Sequence, residues 1–473
     1  MAEGRPGHGE AAPGDHLQTG YQLWLVGHQL EHGRAPWRDP YSFQPEAKRR
    51  WNLAGWPFGL PYWGLHRALG TVLAWNIFVL LGFLGAGGLT ALWLRELGLR
   101  RGAALVGGLA FSLAPYLQAQ WSAGHLAAWV VLLLPLSLYA VERARRHSAW
   151  WLVLAGAALT SIPLSGQLHL ALAAIPFFCL YSLVRFRWAV VLAVPALAAG
   201  VLADVVAVRD TTGAGGRSFA QVEHYSADAV DFFSRNTHEI EGVVFLGWTV
   251  VVLALAGLGT LYARRRFGLA VTLTLGALVP ALFALGANLP GYETLWRHSP
   301  GLRETRVPER LMPVACLALA ALVAIAVSRV RWPGTAAIVA LLLLVDLRVG
   351  VFHPTAADEH NHAYSALRAA PPGRILEFPV FLPDRQEGSV YLYYAMQAPG
   401  ERVAGYSTTA PLAADEILRR LGRACSHDGL NALLDELRVR YVALHFDLRG
   451  CVADRYGDLP PLGAQRNIVI YQR

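Results

Sequence analysis

Asp15 opens the run GDHLQTGYQLWLVGHQLEHG at 14–33, and a carboxylate at the mouth of a membrane cavity serves as a general base or holds a metal ion. With Gln18 three residues on, Asp15 equally fits a helix N-cap and its capping-box partner, which needs no catalysis. Asp39, ahead of Pro40, offers a second carboxylate in the same stretch, or a simple turn residue. His125 in QWSAGHL and His169 just after SGQ fall at the ends of apolar runs, where an ionisable ring relays protons or binds substrate, or is merely amphipathic. Asp228, Asp231, His238, Glu239 and Glu241 crowd one loop that could take a metal or an acceptor hydroxyl; a solvated charged loop explains the same residues. In PGLRETRVPERL at 300–311, Pro308 suits the first turn of a helix, and Arg306 and Arg310 bracket its positive end. Two guanidinium forks beside a helix N-terminus make a phosphate site, with ordinary lipid headgroups as the alternative occupant.

These side chains need a scaffold, and composition names its kind. The chain has 473 residues, 54% hydrophobic and 16% charged, against roughly 25% charged in a typical soluble domain. A disordered chain, a collagen-like fibre and a small disulfide scaffold are excluded. The net charge is +8, yet Lys48 is the only lysine and the arginines form short scattered clusters, so nothing tracks nucleic-acid phosphates. No P-loop, dinucleotide-binding glycine motif, HExxH or nucleophile elbow occurs in a suitable context.

A membrane-spanning helix needs about 20 mostly apolar residues, and ten such runs are expected: 69–94, 103–118, 126–141, 149–165, 168–184, 188–208, 243–263, 267–287, 311–328 and 333–352. Arginines fall in every second connection (Arg95, Arg100, Arg101; Arg143, Arg145, Arg146; Arg185, Arg187; Arg264 to Arg266; Arg329, Arg331), while 119–125 and 166–167 have none. Arginine-rich short loops stay cytoplasmic, which leaves about 250 residues facing outward and about 25 inward. Chemistry is therefore expected on the outer side. An outward first segment is ordinarily delivered by a preceding span, and the polar stretch MAEGRPGHGEAAPG has no apolar core, so a first helix is expected to be missing.

Three regions follow. Residues 1–68 form an outer first loop, where Leu17, Tyr21, Trp24 and Leu25 share one helix face and would lie in the interface plane with a polar face outward. Its Pro-, Gly- and Trp-rich remainder reads as an ordered re-entrant loop. Residues 69–352 form the transmembrane domain. Residues 353–473 form a small extracytoplasmic α/β domain, with strands at 374–378 and 439–446 and a helix at 428–437. Cys179 and Cys316 lie in apolar runs and act as small hydrophobes. Cys425 and Cys451 flank the helix and strand in a compartment that permits a disulfide, or remain thiols. Zinc bound by Cys425, His427, His445 and Cys451 lacks the usual paired spacing.

The ordered set of segments resembles the bacterial polytopic membrane glycosyltransferases of the GT-C superfamily, including YfhO-type relatives. It comprises GDHL leading a helix; DPYSFQPE then WPFGLP; FSLAPY with GHL nine residues on; YSADAVDFF; PGLRETRVPER before a span; and LEFPV, GYS and VRYVALH near the end. The resemblance implies a GT-C fold: an α-helical polytopic membrane protein of about ten spans with a C-terminal extracytoplasmic α/β domain. It implies a multi-pass protein of the bacterial plasma membrane, moving a sugar from a polyprenyl-phosphate carrier to a glycan, lipid or protein acceptor. Asp15 corresponds to the catalytic base, Arg306 and Arg310 to the residues holding the carrier phosphate, and the absent first helix is a departure. Asp39, His125, His169, Asp228 and His238 are the further substrate-binding candidates; a divalent metal is an open option and no nucleic-acid partner is implied. The alternative is a non-catalytic glycan-binding assembly partner, or a lipid or polysaccharide transporter, although ionisable residues gather at span ends, with Asp204 and Asp346 the main exceptions.

Overall fold

The computed structural model describes residues 1–3, 10–45, 51–209, 211–213, 217–235, 241–303, 305–424, 429–448, 459–465 and 467–473. All ten apolar runs are helical. Gly59–Glu96, Ala127–Arg146, Leu168–Arg185, Arg187–Ala207, Phe267–Ala284 and Pro308–Arg329 are each long and apolar enough to cross a membrane. Arg101–Ser112 and Pro115–Ala123, bent by 51°, make a seventh if taken as one span. The remaining three expected spans are shorter helices, Trp151–Leu164, Trp248–Ala263 and Thr335–Asp346. With 14, 16 and 12 residues they reach only about 18 to 24 Å at 1.5 Å per residue, short of the roughly 30 Å hydrocarbon core. The sequence places apolar residues beyond these helices, but a glycine with φ of 86° at Gly247 and the Asp346 carboxylate, which accepts the Thr249 N–H at 2.6 Å, set the ends.

The chain divides into two compact units, one formed by Met1–Phe78, Val205–Ala214 and Pro354–Arg473, the other by Val79–Asp204 and Gly215–His353. In the second unit Pro308–Arg329 is the central helix, buried without a break from Met312 to Val327 except at Leu319. Small residues let its neighbours close in: a Cβ on Gly257 would stand 2.0 Å from the Leu322 carbonyl oxygen, and one on Gly107 would stand 3.0 Å from that of Ala320. Such small-residue contacts replace the hydrophobic drive that lipid cannot supply. Leu80, Leu84, Val201, Leu255 and Val345 remain exposed on the helices, as lipid-facing side chains do. Some arginines of the expected cytoplasmic loops are also structural. Glu142, wholly buried, accepts Tyr181 Oη at 2.7 Å, Arg185 Nε at 2.6 Å and Arg145 Nη2 at 3.0 Å.

In the first unit the sheet has the order β3-β4-β6-β5, with β3 Arg374–Phe378, β4 Val439–His445, β5 Pro461–Gln465 and β6 Ile468–Gln472. β3 and β4 are parallel; β6 is antiparallel to both β4 and β5. Two short strands, β1 Ala2–Glu3 and β2 Ala356–Ala357, pair separately. The core mixes both ends of the sequence: Ala11, Leu17 and Phe43 are buried with Leu376, Tyr391, Val442 and Ile470. The wholly buried pair Arg402 to Glu377, at 2.7 Å, fastens the same core, and the Arg402 N–H donates to the Tyr41 carbonyl at 2.7 Å.

The helix expected to lie in the membrane interface is instead buried. It runs Asp15–Glu31, and 12 of its 17 residues, Trp24 and Tyr21 included, are buried. Its polar positions are satisfied inside the protein: Tyr21 Oη donates to Asp39 at 2.7 Å and Gln18 Nε2 to the Tyr406 carbonyl at 2.7 Å. The stretch after it has, among its described residues, an Arg38 to Trp51 bridge and Asn52, which donates to the Gln22 carbonyl at 2.7 Å. It also contains the first turns of Gly59–Glu96, which kinks at Gly70 (φ 75°). There the Glu359 carboxylate accepts the Thr71 N–H and starts the helix anew.

Candidate functional site

The expected site residues fall into both units, and each group has its own geometry. In the first unit Asp15 is the first residue of its helix, preceded by Gly14, whose N–H donates to Ser389 Oγ at 3.0 Å. The N-cap position is taken by Gly14 and not by Asp15, whose half-buried carboxylate accepts the Tyr406 hydroxyl at 2.6 Å. A negative charge in this first turn also suits the helix dipole. Its neighbour His16 is buried, with Nε2 unpartnered among the described residues. Burial first, and then the amino-terminal charge, lowers His16 to about 4 against the pull of Asp15, so the ring is neutral at pH 7. His16 stands in the GDHL motif, beside the aspartate expected to act as base.

Asp39 is buried and occupied. It accepts Tyr21 Oη at 2.7 Å, the Tyr41 N–H at 3.0 Å, the Ser42 N–H at 3.2 Å and Ser42 Oγ at 2.6 Å. This is the turn role weighed for an aspartate before proline.

In the second unit the loop before Trp248 meets the turn that begins Pro308–Arg329. Pro308 stands at the first position of that turn, as its fixed φ favours. Arg310 pairs with Glu241 at 2.9 Å, and the Gly242 N–H donates to the wholly buried Glu309 at 2.6 Å. Burial pushes Glu241 up, but the Arg310 charge, then that of His125, with the bond from Arg310, outweigh it and lower it to about 2. His125 itself is bonded through Nδ1 to Gln120 Oε1 at 2.7 Å.

His169 stands within electrostatic reach of three guanidiniums, Arg310, Arg217 and Arg306, and its Nδ1 is buried without a partner among the described residues. The Arg306 guanidinium lies over the Tyr225 ring at 5.5 Å and has no carboxylate partner among the described residues. Arg217 is brought in by its backbone, whose N–H donates to the Arg303 carbonyl at 2.9 Å. His169 thus has Arg306, Arg310 and Arg217 within electrostatic reach, and Glu241 has Arg310 and His125. Asp228 is not gathered with them by any bond; it accepts Asn288 Nδ2 at 3.0 Å, and its N–H donates to Asp231 at 2.8 Å. His238, Glu239, Cys425, His427 and Cys451 lie outside the described residues. His445, the remaining residue of the zinc reading, is buried with both ring nitrogens bonded, Nδ1 to Glu10 at 2.7 Å and Nε2 to Tyr364 Oη at 2.9 Å. Among the described residues no group of three or more His, Cys, Asp or Glu is placed to hold a metal.

The fold is GT-C-like, and solved membrane glycosyltransferases are its structural neighbours. The mycobacterial arabinofuranosyltransferase AftD superposes with a TM-score of 0.56 at 16% identity, over 98% of this chain and 40% of that one. A mutant of AftD gives 0.55, again at 16% identity, over 98% and 42% of the two chains. The apo oligosaccharyltransferase of Archaeoglobus fulgidus gives 0.50 at 12% identity, over 93% and 66%. The chain therefore spans about two fifths of the length of AftD. The likeness is to the GT-C fold, and not to its YfhO-type branch in particular. No protein-family model matches the sequence, and no curated protein matches it.

Proposed function

We propose that the chain is a membrane glycosyltransferase that moves a sugar from a polyprenyl-phosphate carrier to an acceptor hydroxyl at the extracytoplasmic face of a bacterial plasma membrane. The observation that carries this reading is Arg306, beside Arg310 at the turn that opens an apolar span and without a carboxylate partner among the described residues. Two guanidiniums at a helix start suit a phosphate at membrane depth, and Arg306 is the one of the two without a carboxylate partner among the described residues, since Arg310 pairs with Glu241. Asp15 would take the proton of the acceptor hydroxyl as its oxygen attacks the anomeric carbon. The bond from that carbon to the carrier phosphate breaks, and the phosphate leaves with the electron pair, its charge met by the guanidiniums. No nucleotide sugar is needed.

The test is transfer from radiolabelled polyprenyl-phosphate sugars by protein purified in lipid. Asp15→Asn should lower turnover at least 100-fold, as loss of a general base does. Arg306→Ala should raise the donor KM and lower turnover without shifting the melting temperature. Full activity in both variants rejects the residue roles; no release of carrier phosphate with any donor, from folded wild type, rejects transfer in favour of binding or transport.

A further inference from the structure

A cleft of about 970 Å³ opens within the first unit, between the second half of the Asp15–Glu31 helix, the first turns of Gly59–Glu96 and the segments around 367–375 and 396–401. The proposed transfer chemistry uses none of its lining. One wall is a ladder of rings one helical turn apart: Trp24 stacks on His28 at 4.3 Å, and His28 meets His32 at 4.4 Å. His28 Nε2 bonds Tyr41 Oη at 2.8 Å, and His32 Nδ1 donates to the His28 carbonyl at 2.8 Å, so the ladder is fixed from within. A second wall is Trp63, whose ring lies so close to Gly27 that a Cβ there would stand 2.0 Å from it.

The charges of the cleft do not cancel. Arg67 pairs with Glu31 at 3.1 Å and Arg374 with Glu401 at 2.8 Å. Arg34, by contrast, touches only the Tyr41 hydroxyl at 3.4 Å, and Arg368 has no hydrogen bond or ion pair among the described residues. Both are exposed, and both line this cleft with His28. Two uncompensated guanidiniums beside aromatic walls, in a space suited to a small ligand, select for a flat-faced molecule with a negative group.

We propose that this cleft binds an acidic saccharide, with its carboxylate or phosphate held by Arg34 and Arg368 and its sugar rings lying against the aromatic walls. The full chain in lipid nanodiscs is titrated with tetragalacturonate, glucose 1-phosphate, neutral maltotetraose and inorganic phosphate, read by tryptophan fluorescence and equilibrium dialysis. At least one anionic saccharide should bind, with maltotetraose and inorganic phosphate each at least tenfold weaker. Preference for tetragalacturonate identifies a carboxylate ligand, and preference for glucose 1-phosphate a phosphorylated one. Arg34→Ala and Arg368→Ala should each weaken binding about tenfold, and Arg368→Lys should retain part of it. Both arginines are exposed, so the variants fold, which near-UV circular dichroism verifies. Absence of binding by folded wild type, equal binding of inorganic phosphate, or unchanged affinity in both alanine variants would overturn the proposal. Sugar transfer measured on the same samples reports on the proposed function separately.

Discussion

Arg402, Arg310 and Arg306 carry the same guanidinium into three settings. Arg402 is wholly buried, paired with Glu377 at 2.7 Å and bonded to the carbonyls of Gly400 at 3.0 Å and Ala398 at 3.1 Å. Removing one partner of such a pair leaves an uncompensated buried charge, at a cost of about 3–5 kcal/mol, whereas replacing both by apolar groups is often nearly neutral. Arg402→Leu should therefore destabilise the first unit by about that amount in urea unfolding, and the double variant Arg402→Leu, Glu377→Leu should recover most of it. If the double variant is no more stable than the single one, the backbone bonds of Arg402, and not its charge pairing, hold the loop. Arg310 is intermediate, half committed to Glu241. Arg306 is committed only to the Tyr225 ring, which marks it as the arginine with least structural duty.

At the scale of the element, the Asp15–Glu31 helix makes stability depend on pH. Burial first, then the charges of His32, Arg34 and Arg368, lowers His28 from 6.5 to about 4, and His16 is lowered similarly. Between those values the unfolded chain takes up protons that the folded helix refuses, so stability falls as pH drops from 6.5 to about 4 and these two groups add no further loss below it. Unfolding followed across this range should show that slope, and His28→Gln should reduce it; an unchanged slope in the variant would assign the effect elsewhere. The same helix marks where sequence reading stopped. Apolar runs announced all ten helices, because hydropathy is carried by the residues themselves, and 374–378 and 439–445 were legible as strands for the same reason. The polar face of Asp15–Glu31 pointed to water because nothing local says that Tyr406 will receive Gln18 or that Asp39 will receive Tyr21. Strands β5 and β6 went unread since segments this short gain their identity from pairing. Residue type and spacing singled out Arg306 and Arg310 as candidates, while Arg217 comes within electrostatic reach of His169 across a long stretch of chain that only the fold closes.

At the scale of the whole molecule, the last 120 residues do not form a self-sufficient domain. Their core is completed by Ala11, Leu17 and Phe43, and the buried His445 needs Glu10. A fragment beginning at His353 should therefore express as a poorly ordered chain, with broad NMR amide signals, and co-expression with residues 10–78 should restore dispersion. A well-dispersed spectrum from the fragment alone would show that the first segment is dispensable to it. The discontinuity also sets an order of events during biosynthesis. Between Phe78 and Pro354 lie about 275 residues, which a ribosome adding roughly 5–20 residues per second needs roughly 14–55 s to make. Throughout that interval Ala11, Leu17 and Phe43 wait without the partners that later bury them, so the nascent amino-terminal segment requires a temporary host, in the membrane surface or a chaperone, until the final strands emerge.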